Sequence, residues 1–184
     1  MINCLPNNNN NNTSFALVIR AGPASGKSTF TTKLVDKLRE EYKLKIFFIE
    51  QDNYRNEQLG NNYHKSKELV QENCEISMEM MISNALIALS KGYSIVCEGI
   101  LNEKYYNKLF DVLDRETNTK FIYYYVSEEE RIKRHEARPK GKLIDTNLML
   151  TWKCEKLKNH TEIMFDGTLD LDISIDRILR ELKI

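Results

Sequence analysis

Along the chain, short and nearly all-apolar runs alternate with amphipathic stretches. The runs Phe15–Arg20, Lys45–Glu50, Ser94–Glu98, Lys120–Val126 and Glu162–Phe165 read as strands. The stretches Lys27–Tyr42, Cys74–Lys91, Lys104–Glu116, Glu128–Arg138, Thr146–His160 and Ile173–Leu182 carry apolar residues at helical spacing and read as helices. In Cys74–Lys91 the predicted buried side is Ile76, Met80, Ile82, Leu86, Ile87 and Leu89. Strands that are apolar on both faces must be covered on both. The alternation therefore predicts an α/β fold, three layers deep, around a five-stranded parallel sheet. Right-handed crossovers then bring all strand C-terminal ends to one edge, where ligands bind. The residues that follow each strand are where chemistry is expected.

The first strand runs into Ala21-Gly22-Pro23-Ala24-Ser25-Gly26-Lys27-Ser28, with Thr29 next. Strand, glycine-rich turn and helix in that order aim several backbone N–H groups and a helix N-terminus at one point, which suits a polyphosphate. This is a phosphate-binding loop of the Walker A type, with Ala21 where the stricter pattern has Gly. Its nucleotide-binding residues are Gly22, Pro23, Ala24, Ser25, Gly26, Lys27, Ser28 and Thr29. Lys27 is expected to reach the β- and γ-phosphates and Ser28 to hold Mg²⁺.

Glu50-Gln51-Asp52-Asn53-Tyr54-Arg55 follows the second strand, and Glu98-Gly99-Ile100 the third. A carboxylate near a γ-phosphate can accept the proton of an attacking hydroxyl or help hold the metal through water. Asp52 is the expected base and Glu98 the supporting acid, either of them able to back Ser28 at the metal. Gly99 fits a close ligand approach or a tight turn. After the fourth strand, Ser127 reads as a helix N-cap with Glu130 completing a capping box. Arg131, Arg134 and Arg138 then share one helical face. Pro139-Lys140-Gly141-Lys142 ends that helix in a basic turn, so residues of about 131–146 are expected to form a lid in which at least one of these arginines, the sequence not deciding which, meets phosphate. Trp152 is expected to pack, and His64 and His160 to lie at the surface.

The chain has 184 residues, enough for one domain with a full core. Residues 1–13 contain an asparagine run and are expected to be a disordered tail, leaving 14–184 as the folded domain. With 27 basic and 27 acidic residues, no net field draws it to nucleic acid or to an anionic membrane. No apolar run approaches the ~20 residues needed to span a bilayer. Cys4, Cys74, Cys97 and Cys154 lie far apart, which suits reduced thiols; with no signal-peptide pattern, a cytoplasmic location is expected. Monomer and homodimer fit equally.

Taken together, Gly22 to Thr29, Asp52-Asn53-Tyr54-Arg55, Glu98-Gly99, the Arg131–Arg138 stretch and Phe165-Asp166-Gly167-Thr168 before a final helix resemble the zeta-toxin-like, AAA-type small P-loop kinases. The resemblance runs from Phe15 onward. It implies ATP as the nucleotide, Asp52 as base, Arg55 as a residue that positions the acceptor, and Glu98 as an acceptor ligand. Zeta toxins tend to carry Thr two positions after that Glu, where this chain has Ile100, which points away from a nucleotide-sugar acceptor. The resulting expectation is a Mg²⁺·ATP-dependent kinase acting on a hydroxyl of a small molecule. A nucleotide-dependent switch is the rival from another class. It lacks an Asp-x-x-Gly after a strand, and Asn107-Lys108-Leu109-Phe110-Asp111 is one residue too long for the guanine-reading motif. A polynucleotide-end kinase would need a local basic patch from Lys140, Lys142 and the arginine face.

Overall fold

The structure of the chain is a computed structural model that describes residues 14–57, 67–139 and 144–183. The expected tail, His64 and the Lys140 to Lys142 turn lie outside the described residues. Five strands form one parallel sheet: β1 (Phe15–Arg20), β2 (Ile46–Glu50), β3 (Ser94–Gly99), β4 (Asn118–Tyr125) and β5 (Glu162–Asp166), in the order β2-β3-β1-β4-β5. The expected α/β/α layering is present. The helices α2 (Lys67–Ser90) and α3 (Glu103–Glu116) cover one face, while α1 (Lys27–Glu40) and α6 (Leu171–Leu182) cover the other. Two short helices, α4 (Glu128–Glu136) and α5 (Thr146–Thr151), pack together beside the sheet edge. No described helix is long and apolar enough to cross a membrane.

Alternation along β1 divides the core. Ala16 and Val18 face α2 and α3, while Leu17 and Ile19 face α1 and α6. The same alternation splits the tyrosine run of β4. Tyr124 is buried and stacks on Phe30 with ring centroids 4.8 Å apart, whereas Tyr125 is exposed.

Three sequence expectations need correction here. The buried stripe of α2 is Cys74, Ser77, Met78, Met81, Ile82, Ala85 and Ala88, whereas Ile76, Leu86 and Ile87 are exposed. Small side chains let the helix approach the sheet closely, and a reading weighted toward large hydrophobes passes over them. His160 is not a surface residue. Its ring packs against Phe110 and Phe121, at centroid distances of 5.7 and 4.6 Å.

The third correction concerns Thr146–His160, where helix stops at Thr151. Residues 152–160 form an irregular strap across the β1–β4–β5 part of the sheet. Its backbone groups are satisfied by side chains from elsewhere in place of a helical ladder. Tyr123 Oη donates to Cys154 O at 3.2 Å, and Arg20 Nη2 to Glu155 O at 2.8 Å. Leu157 N donates to Glu162 Oε2 at 2.8 Å, while Lys158 N and Asn159 N donate to the Glu103 carboxylate at 2.9 and 3.0 Å.

The two sides of α2 give a direct test. Met81→Ala is expected to cost about 2–5 kcal/mol through the cavity it leaves. Ile87→Ser should change stability by no more than about 0.5 kcal/mol. Urea unfolding of both variants distinguishes the observed face from the one expected from sequence.

Candidate active site

Beyond the C-terminal ends of β1 and β3 the ladder continues for one more bond, Ala21 N donating to Gly99 O at 3.2 Å. That bond sets the phosphate-binding loop beside the turn that follows Glu98. Within the loop, Ala24 (φ +59°) and Gly26 (φ +90°) take left-handed backbone conformations. Gly26 is the N-cap of α1, and no side chain caps the helix there. The first turn of α1 therefore keeps backbone donors for an outside anion. Ser25 is buried, and its Oγ accepts from Lys27 N at 3.3 Å. Ser28 and Thr29 are exposed at the mouth.

Glu98 is 2% exposed and lies directly against this loop. Ser28 Oγ donates to its Oε1 at 3.1 Å, and Lys27 Nζ stands 3.9 Å from its Oε2. Among the described residues, Oε2 is buried and accepts no hydrogen bond. Burial pushes the Glu98 carboxyl up to about 7; Lys27 opposes that rise, and the charges of Glu50 and Asp52 add to it. A buried carboxylate oxygen without a donor, next to a loop hydroxyl, suits a hard cation. Ser28 and Glu98 thus offer the oxygen donors that the Mg²⁺ expected from the sequence would need.

Asp52 is exposed in the helical turn after β2, close enough for its charge to act on Glu98. The chain then winds through a π-helical turn, Asn53–Glu57, held to α2 by Asn84 Nδ2 donating to Tyr54 Oη at 2.8 Å. Arg55 is half-buried in that turn. Its charge acts on Cys74 and on Tyr106, whose hydroxyl burial pushes up to about 12. Ser77 Oγ and Tyr106 Oη lie 3.0 Å apart in the same place. A buried polar cluster on α2 and α3 thus faces Arg55 of the π-helical turn.

Of the three arginines expected on the lid face, the structure brings two to the phosphate loop. The Arg131 guanidinium lies where a Cβ on Gly22 would stand, so that position admits no larger residue without moving it. Arg134 donates through Nη1 to Ser25 O at 2.7 Å, through Nη2 to Gly167 O at 3.4 Å and through Nε to Glu130 Oε1 at 2.8 Å. Arg138 does not share their face, because α4 ends at Glu136 and Arg138 is exposed beyond it. Ser127 caps α4, its Oγ accepting from Glu130 N at 3.3 Å. The Glu130 carboxylate turns to Arg134, however, and does not close the expected box.

Two residues escaped the sequence reading. Gln51 is buried, and its Oε1 accepts from Ile100 N at 2.9 Å and Leu101 N at 3.4 Å. A Cβ at Gly99 would come within 2.5 Å of that oxygen, so Gly99 makes room for Gln51 and not for a ligand. Arg20, at the last position of β1, is fully buried. A basic residue ending an apolar strand was the available signal for it. Two surface concavities of about 410 and 460 Å³ share Lys104, Tyr105 and Asn107 on α3 and include none of the phosphate-loop residues.

A family model described as an AAA domain matches residues 17–148. No curated protein matches the chain. Among solved structures, the chain is similar to an unliganded sugar kinase from Janibacter sp. HTCC2649, at 21% identity over 94% of this chain and 95% of that one, with a TM-score of 0.71. It is also similar to a gluconokinase from Sinorhizobium meliloti 1021, at 16% identity over 93% and 97%, TM-score 0.61. An APS kinase from Mycobacterium tuberculosis, solved with AMPPNP and APS, is 14% identical over 94% and 99%, TM-score 0.68. At such identities the likeness is one of fold.

The raised Glu98 carboxyl has a signed consequence for stability. Between its ordinary value of 4.5 and about 7 the folded chain keeps a proton that the unfolded chain has released. The stabilisation is complete below the lower value and is lost as pH rises through the upper one. In the ligand-free protein this group should account for a loss on the order of 3 kcal/mol across that window. Glu98→Gln should remove it, so urea midpoints of variant and wild type should diverge in the variant's favour between pH 5 and pH 8.

Proposed function

The chain belongs to the AAA domain family, and from that membership and the site geometry we propose that it is an ATP-dependent kinase that phosphorylates a hydroxyl group of a small molecule. One observation carries the reading. Ser28, Lys27 and Glu98 converge at 3.1 and 3.9 Å, and the buried Glu98 Oε2 is left for a cation and its water. When bound, Mg²⁺ would be held by Ser28 Oγ with Glu98 or Asp52 through water, and would offset charge on the phosphate oxygens.

The remaining steps belong to the chain's own groups. Backbone N–H groups from Gly22 to Thr29 cradle the phosphates, and Lys27 reaches the terminal ones. Asp52 takes the proton of the acceptor hydroxyl as the new O–P bond forms and the bond to the ADP oxygen breaks. Arg131 and Arg134, already seated at the loop, compensate charge on the moving phosphoryl group, while Arg138 joins them only if the lid rearranges. Arg55 orients the acceptor from the π-helical turn. Glu98 stands against Ser28, which favours a metal-side role over direct contact with the acceptor. A zeta-toxin-like subtype rests on the Asp52 and Arg55 motif, and Ile100 argues for an acceptor other than a nucleotide sugar. The free cysteines Cys74, Cys97 and Cys154 are in keeping with a cytoplasmic setting.

ADP release with ATP, Mg²⁺ and a panel of sugars, nucleosides and aminoglycoside-like alcohols tests the proposal. One acceptor should raise ADP production well above the basal level. With it, Asp52→Asn should lower kcat by about 10²–10⁴-fold. Lys27→Ala should cost about 3–4 kcal/mol of transition-state stabilisation. An unchanged kcat in Asp52→Asn would remove Asp52 as base. Salt-dependent oligonucleotide binding would shift the reading to end-kinase chemistry, and tightly held GTP without acceptor stimulation would shift it to a switch.

A further inference from the structure

The turn after Glu98 is held at every backbone polar group from Gly99 O to Leu101 O. Gly99 O accepts from Ala21 N at 3.2 Å. Ile100 N and Leu101 N donate to Gln51, Ile100 O accepts from Cys154 Sγ at 3.3 Å, and Leu101 O accepts from Arg20 Nε at 2.9 Å. Leu101 itself sits at φ +43°, a left-handed conformation that a branched side chain keeps only when its surroundings over-determine it. Such complete bracing of a strained turn, directly after the acid that faces Ser28, goes beyond what packing of the sheet requires.

Arg20 is the centre of that bracing. Its guanidinium is fully buried, ion-paired with Glu162, and 5.8 Å from the centroid of the Phe110 ring. The same fork reaches Glu155 O, and Glu162 Oε2 holds Leu157 N. One buried ion pair therefore joins the end of β1, the turn after Glu98 and the strap that returns from α5 and the lid. Replacing such a pair with apolar residues is often neutral for stability, so stability alone is a weak reason for keeping it. Arg20 also stands immediately before the phosphate-binding loop.

We propose that the buried Arg20–Glu162 pair is a positioning element of the active site: it fixes the Leu101 turn, and through it Glu98, against Ser28, and ties that geometry to the strap behind the lid. The inference rests on the reading of Glu98 as a metal-side carboxylate. Arg20 and Glu162 touch neither nucleotide nor metal and act through the backbone they hold. Outer partners of this kind usually change metal affinity by about 10–100-fold.

The test is calorimetric binding of AMPPNP to the full chain with Mg²⁺ and with EDTA, alongside thermal unfolding. The variant combining Arg20→Met with Glu162→Met removes the charges together. It should still unfold cooperatively, at a lower midpoint because Leu101 O, Glu155 O and Leu157 N lose their side-chain partners, and should bind AMPPNP in EDTA within about twofold of wild type. Its Mg²⁺-dependent gain in affinity should fall by roughly tenfold or more. Arg20→Lys keeps the charge but cannot span all three acceptors, and should lose a smaller part of the same gain. Should the double variant fail to fold, Arg20→Lys decides on the same readout. Full retention of the Mg²⁺ gain in a folded variant overturns the inference and leaves the kinase reading intact. A wild-type chain that binds AMPPNP no better with Mg²⁺ than without overturns the metal-side reading of Glu98 and this inference with it.

Discussion

Pairing of β1 with β3 is the interaction on which the rest of the site depends. The register sets Ile19 opposite Glu98 and Arg20 opposite Gly99. Parallel strands end at the same edge, so the turn that leaves β1 and the turn that leaves β3 begin side by side. A slip of one residue would turn Glu98 to the other face of the sheet. The bond from Ala21 N to Gly99 O carries the ladder into the phosphate loop, so strand pairing and active-site geometry form one continuous network. The apolar alternation of β1, Ala16 and Val18 to one side and Leu17 and Ile19 to the other, pins that register from both cores.

Much of this was legible in the sequence because parallel strands buried on both faces leave a nearly unbroken apolar signature. Strand positions held to within two residues, and Asp52 and Glu98 stand at the strand ends where they were expected. Arg138 lies beyond the end of α4, off the expected helical face, for a reason also written in the chain: Pro139 disfavours helical backbone in the residue before it. The strap was illegible because its backbone partners, Arg20, Glu103, Tyr123 and Glu162, lie outside it, three of them far away in sequence. Thr146–His160 carries enough apolar residues to pass for a helix, and nothing local marks where the ladder stops. Gln51 escaped because its role exists only once Gly99 has been placed opposite it.

Charge is abundant and balanced overall, but acts locally. Twenty-seven acidic and 27 basic residues cancel over the chain, yet the site holds Glu98, Lys27, Arg131 and Arg134 close together. Burial raises the cost of ionising Glu98, so its charge depends on what occupies the neighbouring position. A cation there would lower that cost and release the proton, making occupancy and protonation two views of one equilibrium.

The strap also bears on how the chain reaches this state. Its anchors close over long stretches of sequence, 135 residues from Arg20 to Glu155 and 142 from Arg20 to Glu162. Bridges of that span carry a loop-closure cost before any contact repays it. Local ladders in α1 and α3 carry no such delay. The strap therefore gains its contact with Arg20 only where β1 is already in place, whereas its bond from Leu157 N to Glu162 closes over five residues.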